Sequence, residues 1–431
     1  MTLLYSIKKT NWESGEEFYT LVKKNSMYLL EYPTLYAMCV LRKNGNAANT
    51  MAAVMRSICF LYTWAEEECI SLHERFMKGI FLDEVELENL SDYCLQRFDI
   101  KDDKTVINIK ATKVVVPDDI RKTTKIKTIR TVDIPSVQPD TQYNRISYIS
   151  EYLGWLGIEL SRVSVNNHRQ SIKDMVDNLK ELRPRRTSNN RFNFKSNTED
   201  ELESLYRVIK ADSNTNPFKT KSNDKTKLNG IRARNELIFV LLRDLGVRVG
   251  ELCGIKLKDL HLGGNAQVDI FRRPHDKTDP RAERAQVKTQ ARHLPITNKL
   301  AKLINDYVNH HRVKIKGAKQ TDFLFISHEA SKNDEGSPLS MAMVRKILKQ
   351  ISVVTGIKTT PHTLRHSWND KFSKIADDEG MSTEREMALR RYLMGWSETS
   401  DKPAYYSKRR IKHVADKAML ALQEKTTQGM K

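Results

Sequence analysis

The feature that most constrains the fold is a polar break near the middle of the chain, RPRRTSNNRFNFKSNTED, from Arg183 to Asp200. It contains proline, asparagine and serine, and five of its residues are basic. Such a composition is typical of a linker between domains, which few contacts cross. We therefore predict a first domain at residues 1–182, a linker at residues 183–200 and a second domain at residues 201–431.

The sequence before this break predicts helices. In the segment Asn46–Glu68, large apolar residues recur every three or four positions, as they do on one face of a helix. This face consists of Met51, Val54, Ile58, Leu61 and Trp64. The segment Asp83–Phe98 repeats the pattern, and so do RISYISEYLGWLGIELS and HRQSIKDMVDNLKEL further on. The first domain is therefore expected to be α-helical.

The second domain has a mixed pattern. Asn235–Gly246 is an apolar helix that ends at a glycine suited to a helix C-terminus. Gln267–Phe271 and Arg292–Thr297 are predicted strands on either side of a long polar connection, and short helical segments follow. We predict a mixed α/β, mainly helical domain with a small antiparallel sheet. The acidic segment Ala376–Ala388 is expected to be an insertion between two of its helices.

The charge balance indicates a polyanionic partner. Seventy-three Lys and Arg residues against 54 Asp and Glu residues give a formal net charge of +19. Such a surplus indicates nucleic acid more often than a merely solvated surface. Linker residues Arg183, Arg185 and Arg186 can lie along a nucleic-acid backbone, although a flexible, soluble tether would have the same composition.

A second basic segment lies within the first domain. Lys110–Pro135 includes IRKTTKIKTIR, which has five basic residues, no acidic ones, and β-branched residues between them. The pattern fits a ribbon or extended arm along phosphates, with Lys125 and Lys127 as candidate contacts, and it fits a solvated surface strand equally well.

The remaining composition predicts a soluble cytoplasmic protein. Five cysteines lack CxxC spacing, and four of them have apolar neighbours, so we expect buried thiols in a reducing compartment. The first residues lack the apolar core of a signal peptide, and no apolar run is long enough for a membrane span.

Two motifs of the second domain have residues suited to phosphate chemistry. In LGVRVGELCGI, Arg248 follows a predicted helix end and Glu251 comes three residues later. A guanidinium group can bind two oxygens of one phosphate. In QVKTQARHLPIT, Lys288 precedes a strand and can protonate a leaving oxygen if its pKa is lowered. Either motif alone also fits ordinary surface residues.

A third motif, TTPHTLRHSW, predicts the start of a helix. Thr359 or Thr360 caps it and Pro361 lies in its first turn, so His362, Arg365 and His366 share one face. A helix N-terminus with these side chains suits an anion. The arginine on this face argues against a metal ion between the histidines.

The fourth motif is YLMGWSETSDKPAYYSKRR. It contains a helix stop at Gly395, then Trp396, and two adjacent tyrosines, Tyr405 and Tyr406, before a basic run.

Together, this order of arginine, lysine, His-x-x-Arg, tryptophan and tyrosine resembles the catalytic signature of the tyrosine recombinases, the phage-integrase family. HTLRH matches that family's motif directly, and LGVRVGELCGI resembles its TGLRxxELxxL. The resemblance covers about Glu201 to Gln423, and the first domain resembles the helical core-binding domain of integrases. It implies a helical DNA-binding N-terminal domain and a catalytic second domain.

The resemblance also implies roles for individual residues. Arg248 and Arg365 would bind the non-bridging oxygens of the scissile phosphate, and Lys288 would protonate the 5′-hydroxyl leaving group. His362 and Trp396 would complete that pocket, and Glu251 and His366 would support it.

A tyrosine would attack the phosphorus and form a 3′-phosphotyrosine. The family's usual interval of nine residues after Trp396 points to Tyr405, whereas the basic residues in YSKRR point to Tyr406. We expect Tyr406, with Tyr405 as the close alternative.

The function implied is site-specific DNA recombination, for integration or excision of a mobile element, without cofactor or metal. The implied partners are double-stranded DNA at recombination sites, further copies of the chain in a homo-tetramer, and accessory proteins, in a bacterial cytoplasm and on its nucleoid. No membrane partner is expected. Two alternatives stay open: a telomere resolvase or topoisomerase-like strand-rejoining enzyme, and a non-catalytic DNA-binding regulator. The C-terminal tail either packs on its own domain or exchanges with a neighbouring protomer.

Overall fold

The computed structural model describes most of the chain, namely residues 3–12, 16–24, 28–97, 109–110, 131–132, 136–161, 165–185, 196–220, 224–273, 276–281, 283–285, 287, 289–329, 335–400, 402–403, 415–416 and 418–424. The chain forms two compact units, Met1–Asn190 and Arg191–Lys431. The division between them falls inside the segment 183–200 that was predicted to be a linker.

Unit 1 begins with an antiparallel hairpin and continues with helices. The hairpin strands are β1 (Tyr5–Asn11) and β2 (Glu17–Lys23), with Tyr5 opposite Lys23. The helices are α1 (Glu31–Tyr36, followed by a π-helical segment at Ala37–Arg42), α2 (Ala48–Glu67), α3 (Leu72–Met77), α4 (Glu84–Leu95), α5 (Pro139–Leu160) and α6 (Val165–Glu181).

Helix α2 is the centre of the core of unit 1. Its predicted apolar face is confirmed, since each of the five residues is at most 3% exposed. Burial continues round the helix to Ser57 and Thr63, whose hydroxyl groups bond to backbone carbonyls four residues earlier. Ala47 at the N-terminus gives no side-chain cap. Because each buried large apolar side chain contributes about 1.5–3 kcal/mol, packing rather than capping holds α2 in place.

The N-terminal hairpin was not predicted. Its apolar residues, such as Leu21 and Val22, are buried in the same core as α2. Polar residues that are also buried interrupt the apolar pattern: Glu17 accepts from Lys9 at 2.8 Å, and Thr20 bonds to Thr34 at 2.5 Å. Lys9 lies on the opposite strand of the hairpin and Thr34 lies on α1, so both pairings depend on the fold of the hairpin.

The basic segment of unit 1 lies almost entirely outside the described residues. Two-residue strands β3 (Ile109–Lys110) and β4 (Thr131–Val132) pair antiparallel at its two ends. Lys125 and Lys127 are among the residues that the structure does not describe.

Unit 2 combines helices with a three-stranded antiparallel sheet. The helices are α7 (Glu199–Ile209), α8 (Lys225–Leu245), α9 (Val249–Gly254), α10 (Asn298–Asp306), α11 (Met341–Thr355), α12 (Pro361–Asp378) and α13 (Thr383–Met394). The strands are β5 (Leu260–His261), β6 (Gln267–Ile270) and β7 (Arg292–Pro295), in the order β5-β6-β7. The predicted fold class of helices with a small antiparallel sheet is thereby confirmed.

Helix α8 runs through the core of unit 2. It is longer than predicted, since it begins at Lys225, where Asp224 caps its first turn. It ends as predicted at Gly246, whose φ of +58° lies in the left-handed region that favours glycine. Val268 and Leu294 pair across β6 and β7, and both are buried against the same core.

The acidic segment 376–388, which was predicted to be an insertion between helices, forms the end of α12, a turn, and the start of α13, which Ser382 caps. One prediction was wrong: the thiols are not uniformly buried, because Cys39 and Cys69 are exposed. Cys69 lies in the turn that ends α2, with a φ of +57°.

None of the helices in the described part of the chain has the length and apolar character needed to cross a membrane.

Candidate active site

Arg248 and Glu251 mark the start of α9, directly after the glycine that ends α8. The Glu251 carboxylate accepts a hydrogen bond from the backbone N–H of Arg248 at 2.8 Å, so the side chain folds back on its own helix start. The Arg248 side chain is 29% exposed, and its Nη1 lies 3.6 Å from Oε1 of Glu251. Arg248 therefore presents a positive charge near the surface with a buried carboxylate beneath it.

Glu251 is the centre of the site and is 1% exposed. Arg292 donates to it at two points, from Nη2 to Oε2 at 2.9 Å and from Nη1 to Oε1 at 3.2 Å. The hydroxyl of Thr289 donates to Oε1, and Nη1 of Arg365 lies 3.9 Å from Oε2. Three guanidinium groups thus lie within ion-pair distance of one carboxylate.

These charges keep Glu251 ionised. Burial acts to raise the pKa of the carboxyl group, but the positive charges of Arg292 and Arg365 and the hydrogen bonds outweigh burial. The net effect is a pKa below the ordinary value. The group is consequently an anion at neutral pH and can hold its arginines in fixed positions.

Arg365 comes from the first turns of α12 and is buried. Thr360 caps this helix by accepting from the N–H of Thr363 at 3.0 Å, so one of the two predicted caps is confirmed. Arg365 donates from Nη1 to the carbonyl oxygen of Gly246 at 2.7 Å and from Nη2 to that of Met394 at 3.2 Å. It thereby joins the ends of α8 and α13.

The two histidines of α12 lie together. Their ring centroids are 4.3 Å apart in an edge-to-face contact. His362 is exposed and His366 is half-buried, whereas Arg365 is buried. The predicted shared face therefore holds for the histidines, while the arginine side chain is packed inside the unit.

Trp396 follows the end of α13 and is 6% exposed. Gly395, with a φ of +63°, lets the chain turn, so that the N–H of Trp396 donates to the carbonyl of Arg391 at 2.9 Å. The indole packs with Met394 and Trp368, and its ring centroid lies 5.5 Å from the Arg365 guanidinium. Trp396 therefore covers the buried arginine from one side.

Arg292 was not recognised as a site residue from the sequence, where it was only part of a predicted strand. It is 2% exposed and occupies an inward-facing position of β7, two residues before buried Leu294. The two-residue alternation of the strand could have identified Arg292, because it places the arginine on the same inward face as Leu294. An arginine on that face requires a buried partner.

The structure brings together the motif residues that it describes in unit 2: Arg248, Glu251, Arg365 and Trp396 contact one another directly or through one partner, and His362 and His366 share the helix of Arg365. Lys288, Tyr405 and Tyr406 lie outside the described residues, as does linker residue Arg186.

The other two linker arginines belong to unit 1. Arg185 is exposed. Arg183 donates from Nε to the carbonyl of Lys180 at 2.7 Å, and its guanidinium lies 4.9 Å from the ring centroid of Tyr143. Arg183 thus packs at the end of α6.

Comparison with known proteins gives a family match over part of unit 2. Residues 198–377 match the model of the phage integrase family. This match covers less than half of the chain. The matched segment contains Arg248, Glu251, His362 and Arg365 of the site.

Curated members of the family match part of the chain. It is 28% identical over 175 residues to "Tyrosine recombinase XerA" of Pyrococcus furiosus, which covers 40% of this chain and 46% of that protein. It is 29% identical over 206 residues to "Tyrosine recombinase XerD" of Lacticaseibacillus casei, covering 47% and 57% respectively. The chain thus spans about half the length of the curated relatives it matches.

Among solved structures, the XerH site-specific recombinase bound to its difH substrate aligns with 90% of this chain and 85% of its own. The sequence identity is 16% and the TM-score is 0.47.

Proposed function

We propose that this chain is a site-specific DNA recombinase that cuts and rejoins strands through a 3′-phosphotyrosine, and that it integrates or excises a mobile element. The observation that carries the proposal is the convergence of Arg248, Arg292 and Arg365 on one buried carboxylate, Glu251. A phosphoryl-transfer site needs cationic groups that are fixed before the charge develops, and a buried anion supplies that fixation.

Within this proposal, Arg248 is the arginine that reaches the phosphate most directly, since part of its side chain is exposed. Arg365 contributes its charge from beneath, held by two backbone carbonyls. His362 lies at the N-terminus of α12, where the helix dipole favours an anion. Trp396 closes the pocket by packing on Arg365.

The proposed step is a transesterification in which no net bond energy is lost. The phenolic oxygen forms a bond to phosphorus, its proton passes to solvent, and the bond from phosphorus to the 5′ oxygen breaks. Lys288 gives a proton to that oxygen and regains one from solvent. The phosphotyrosine conserves the phosphodiester, so a 5′-hydroxyl of another strand reverses the step, and no metal or cofactor is required.

The wider assignments belong to the same proposal. Unit 1 and the linker would bind double-stranded DNA, which is consistent with the net charge of +19. Strand exchange between two sites would require four copies of the chain on DNA, with accessory proteins as further partners. The reaction would take place on the nucleoid in the cytoplasm.

The deciding test traps the covalent intermediate. A nicked suicide duplex, made from the ends of the mobile element that encodes the chain, loses its short cleaved fragment and so accumulates the protein–DNA adduct. The adduct is scored as a slower band in a denaturing gel. We expect Tyr406→Phe to abolish this band and Tyr405→Phe to keep it. The reverse pattern would make Tyr405 the nucleophile.

The alternatives give different results in the same assay. If the unaltered chain binds the duplex but forms no adduct, it is a non-catalytic DNA-binding protein. If it forms the adduct and relaxes supercoiled DNA without exchanging strands between two sites, it is a topoisomerase-like or resolvase-type enzyme.

A further inference from the structure

The end of α13 is held by an unusual set of donors. At a helix C-terminus the last carbonyl groups have no partner within the helix. In α13 the carbonyl oxygen of Leu393 accepts from Nε of Arg292 at 2.7 Å, and that of Met394 accepts from Arg365 at 3.2 Å. The carbonyl of Gly395 accepts from the backbone N–H of Gln290 at 2.9 Å. Three consecutive carbonyls before Trp396 are therefore bound by the site itself.

Arg292 is the residue that joins these contacts. Besides the bond to Leu393, its two terminal nitrogens bind both oxygens of Glu251, and Nη1 lies 3.3 Å from the hydroxyl of Thr289. One guanidinium therefore links α9, the residues just before β7, and the end of α13. Lysine could not reproduce this geometry, because a single ammonium cannot bind two carboxylate oxygens and also reach a carbonyl on the opposite edge.

The links lie close in sequence to the two predicted reacting groups. Thr289 directly follows Lys288, and Trp396 precedes the tyrosine pair by nine and ten residues. Val287 and Thr289, the neighbours of Lys288, are both buried. A shift of Thr289 would consequently displace the chain that carries the predicted general acid, even with the phosphate-binding Arg248 in place.

We propose that Arg292 is a positioning residue, which holds the chain segment of Lys288 and the end of α13 in register with the phosphate-binding arginines. The inference rests on the proposed function and adds to it a residue that does not touch the DNA. It acts on the Lys288 segment through Thr289, whereas Glu251 keeps its contacts with Arg248 and Arg365, so the loss of Arg292 should show mainly in the protonation of the leaving group.

The test compares two suicide duplexes that differ in one atom, the bridging 5′ oxygen of the scissile phosphate or a sulfur in its place. A thiolate leaves without being protonated, so a variant that has lost only general-acid catalysis recovers on the sulfur duplex. We expect Arg292→Lys to form the adduct about 10²-fold more slowly than the unaltered chain on the oxygen duplex. On the sulfur duplex we expect most of that loss to disappear, as for Lys288→Ala, with duplex affinity unchanged.

A matched control is available in the same unit. Arg312 is also buried, at 5% exposed, and within the described part of the chain its hydrogen bonds go to backbone carbonyls, including those of Thr321 at 2.7 Å and Phe323 at 2.9 Å. Arg312→Lys should weaken the fold without changing the rate of adduct formation by the folded protein on either duplex. Thermal unfolding of both variants shows whether their stabilities are comparable.

The outcomes separate the two proposals. If the unaltered chain forms no adduct on either duplex, the proposed function fails. If it forms the adduct and Arg292→Lys reacts equally fast, or is slowed to the same extent on both duplexes, the positioning role of Arg292 is wrong while the function stands.

Discussion

Gly395 and Arg292 are packed so closely that no side chain fits between them: a Cβ on Gly395 would lie 2.7 Å from Nη1 of Arg292. The same atom would lie 2.9 Å from the carbonyl oxygen of Gln290. Gly395 also has a left-handed φ of +63°, which costs a residue with a side chain about 1–2 kcal/mol. Glycine at this position therefore allows α13 to end against the buried arginine.

The first prediction concerns Gly395→Ala. The added methyl group must push Arg292 or the chain near Thr289 out of place, and a displacement of this size can cost about 10²-fold in rate. The rate is measured as adduct formation on the suicide duplex. The matched control is Gly380→Ala, which has the same φ of +63°, although a Cβ there would meet no atom within 4 Å among the residues that the structure describes. The control should show only the backbone cost in a urea titration, with an unchanged adduct rate. Equal effects of the two substitutions would mean that the close packing has no consequence.

The second prediction concerns the charge of Glu251. Glu251→Gln leaves Arg292 and Arg365 buried without their anion, and breaking a buried ion pair in this way costs about 3–5 kcal/mol. The measurement is the free energy of unfolding in urea at neutral pH.

Acidification of the unaltered chain should mimic part of this loss. The pKa of Glu251 is below its ordinary value of 4.5 in the folded state. Its contribution to stability is therefore fully present above pH 4.5 and is lost as the pH falls through the lower, folded-state pKa. Between pH 5 and pH 2, roughly the window of acid loss for a paired carboxylate, the unaltered chain should lose more stability than Glu251→Gln. If the unfolding free energies of the two proteins changed in parallel with pH, the lowered pKa assigned to Glu251 would be wrong.

The third prediction compares two ion pairs of the same spacing. Arg390 and Glu386 are both fully buried, and Arg390 also donates to Asn369 at 2.9 Å, which ties α13 to α12. Arg207 and Glu203 form an exposed pair on α7 at 3.4 Å. Arg390→Met should lower the unfolding free energy by about 3–5 kcal/mol, because Glu386 is left as a buried anion.

For the exposed pair, Arg207→Met should change the unfolding free energy by less than about 1 kcal/mol, since water solvates both partners. Both variants are compared by urea titration under the same conditions. A similar, small effect at the two positions would show that the buried pair is not holding α12 and α13 together.

The fourth prediction concerns His328, which is fully buried and bonds through Nε2 to the hydroxyl of Tyr307 at 3.1 Å. Burial, and then the nearby charge of Arg234, lower the pKa of its imidazole to about 2. The unfolded chain takes up this proton below the ordinary pKa of 6.5, whereas the folded chain does not until about pH 2. The contribution of His328 to the free energy of unfolding is therefore fully present above pH 6.5 and decreases as the pH is lowered.

The slope of this fall is about 1.4 kcal/mol per pH unit at most. Unfolding free energies at pH 7, 6 and 5 should fall more steeply for the unaltered chain than for His328→Gln, which has no titrating group there. A difference between the unaltered chain and His328→Gln that stays constant with pH would disprove the explanation.

Much of the fold can be predicted from local sequence. The apolar face of α2, the strands β6 and β7, the helix end at Gly246 and the cap at Thr360 all follow from periodicity and turn chemistry within a few residues. The hairpin β1–β2 escaped prediction because its buried Glu17 and Thr20 depend on partners in Lys9 and Thr34.

The sequence by itself identified Arg248, Arg365 and Trp396 as candidate site residues, through the order and spacing of its motifs. Only the tertiary structure decided that Glu251 is their buried centre and that Arg292 joins it to the end of α13. The physical reason is distance along the chain: Arg292 is 41 positions from Glu251 and 101 from Leu393. Whether a charged side chain is solvated or is buried with partners depends on what the fold places around it, and local sequence does not contain that information.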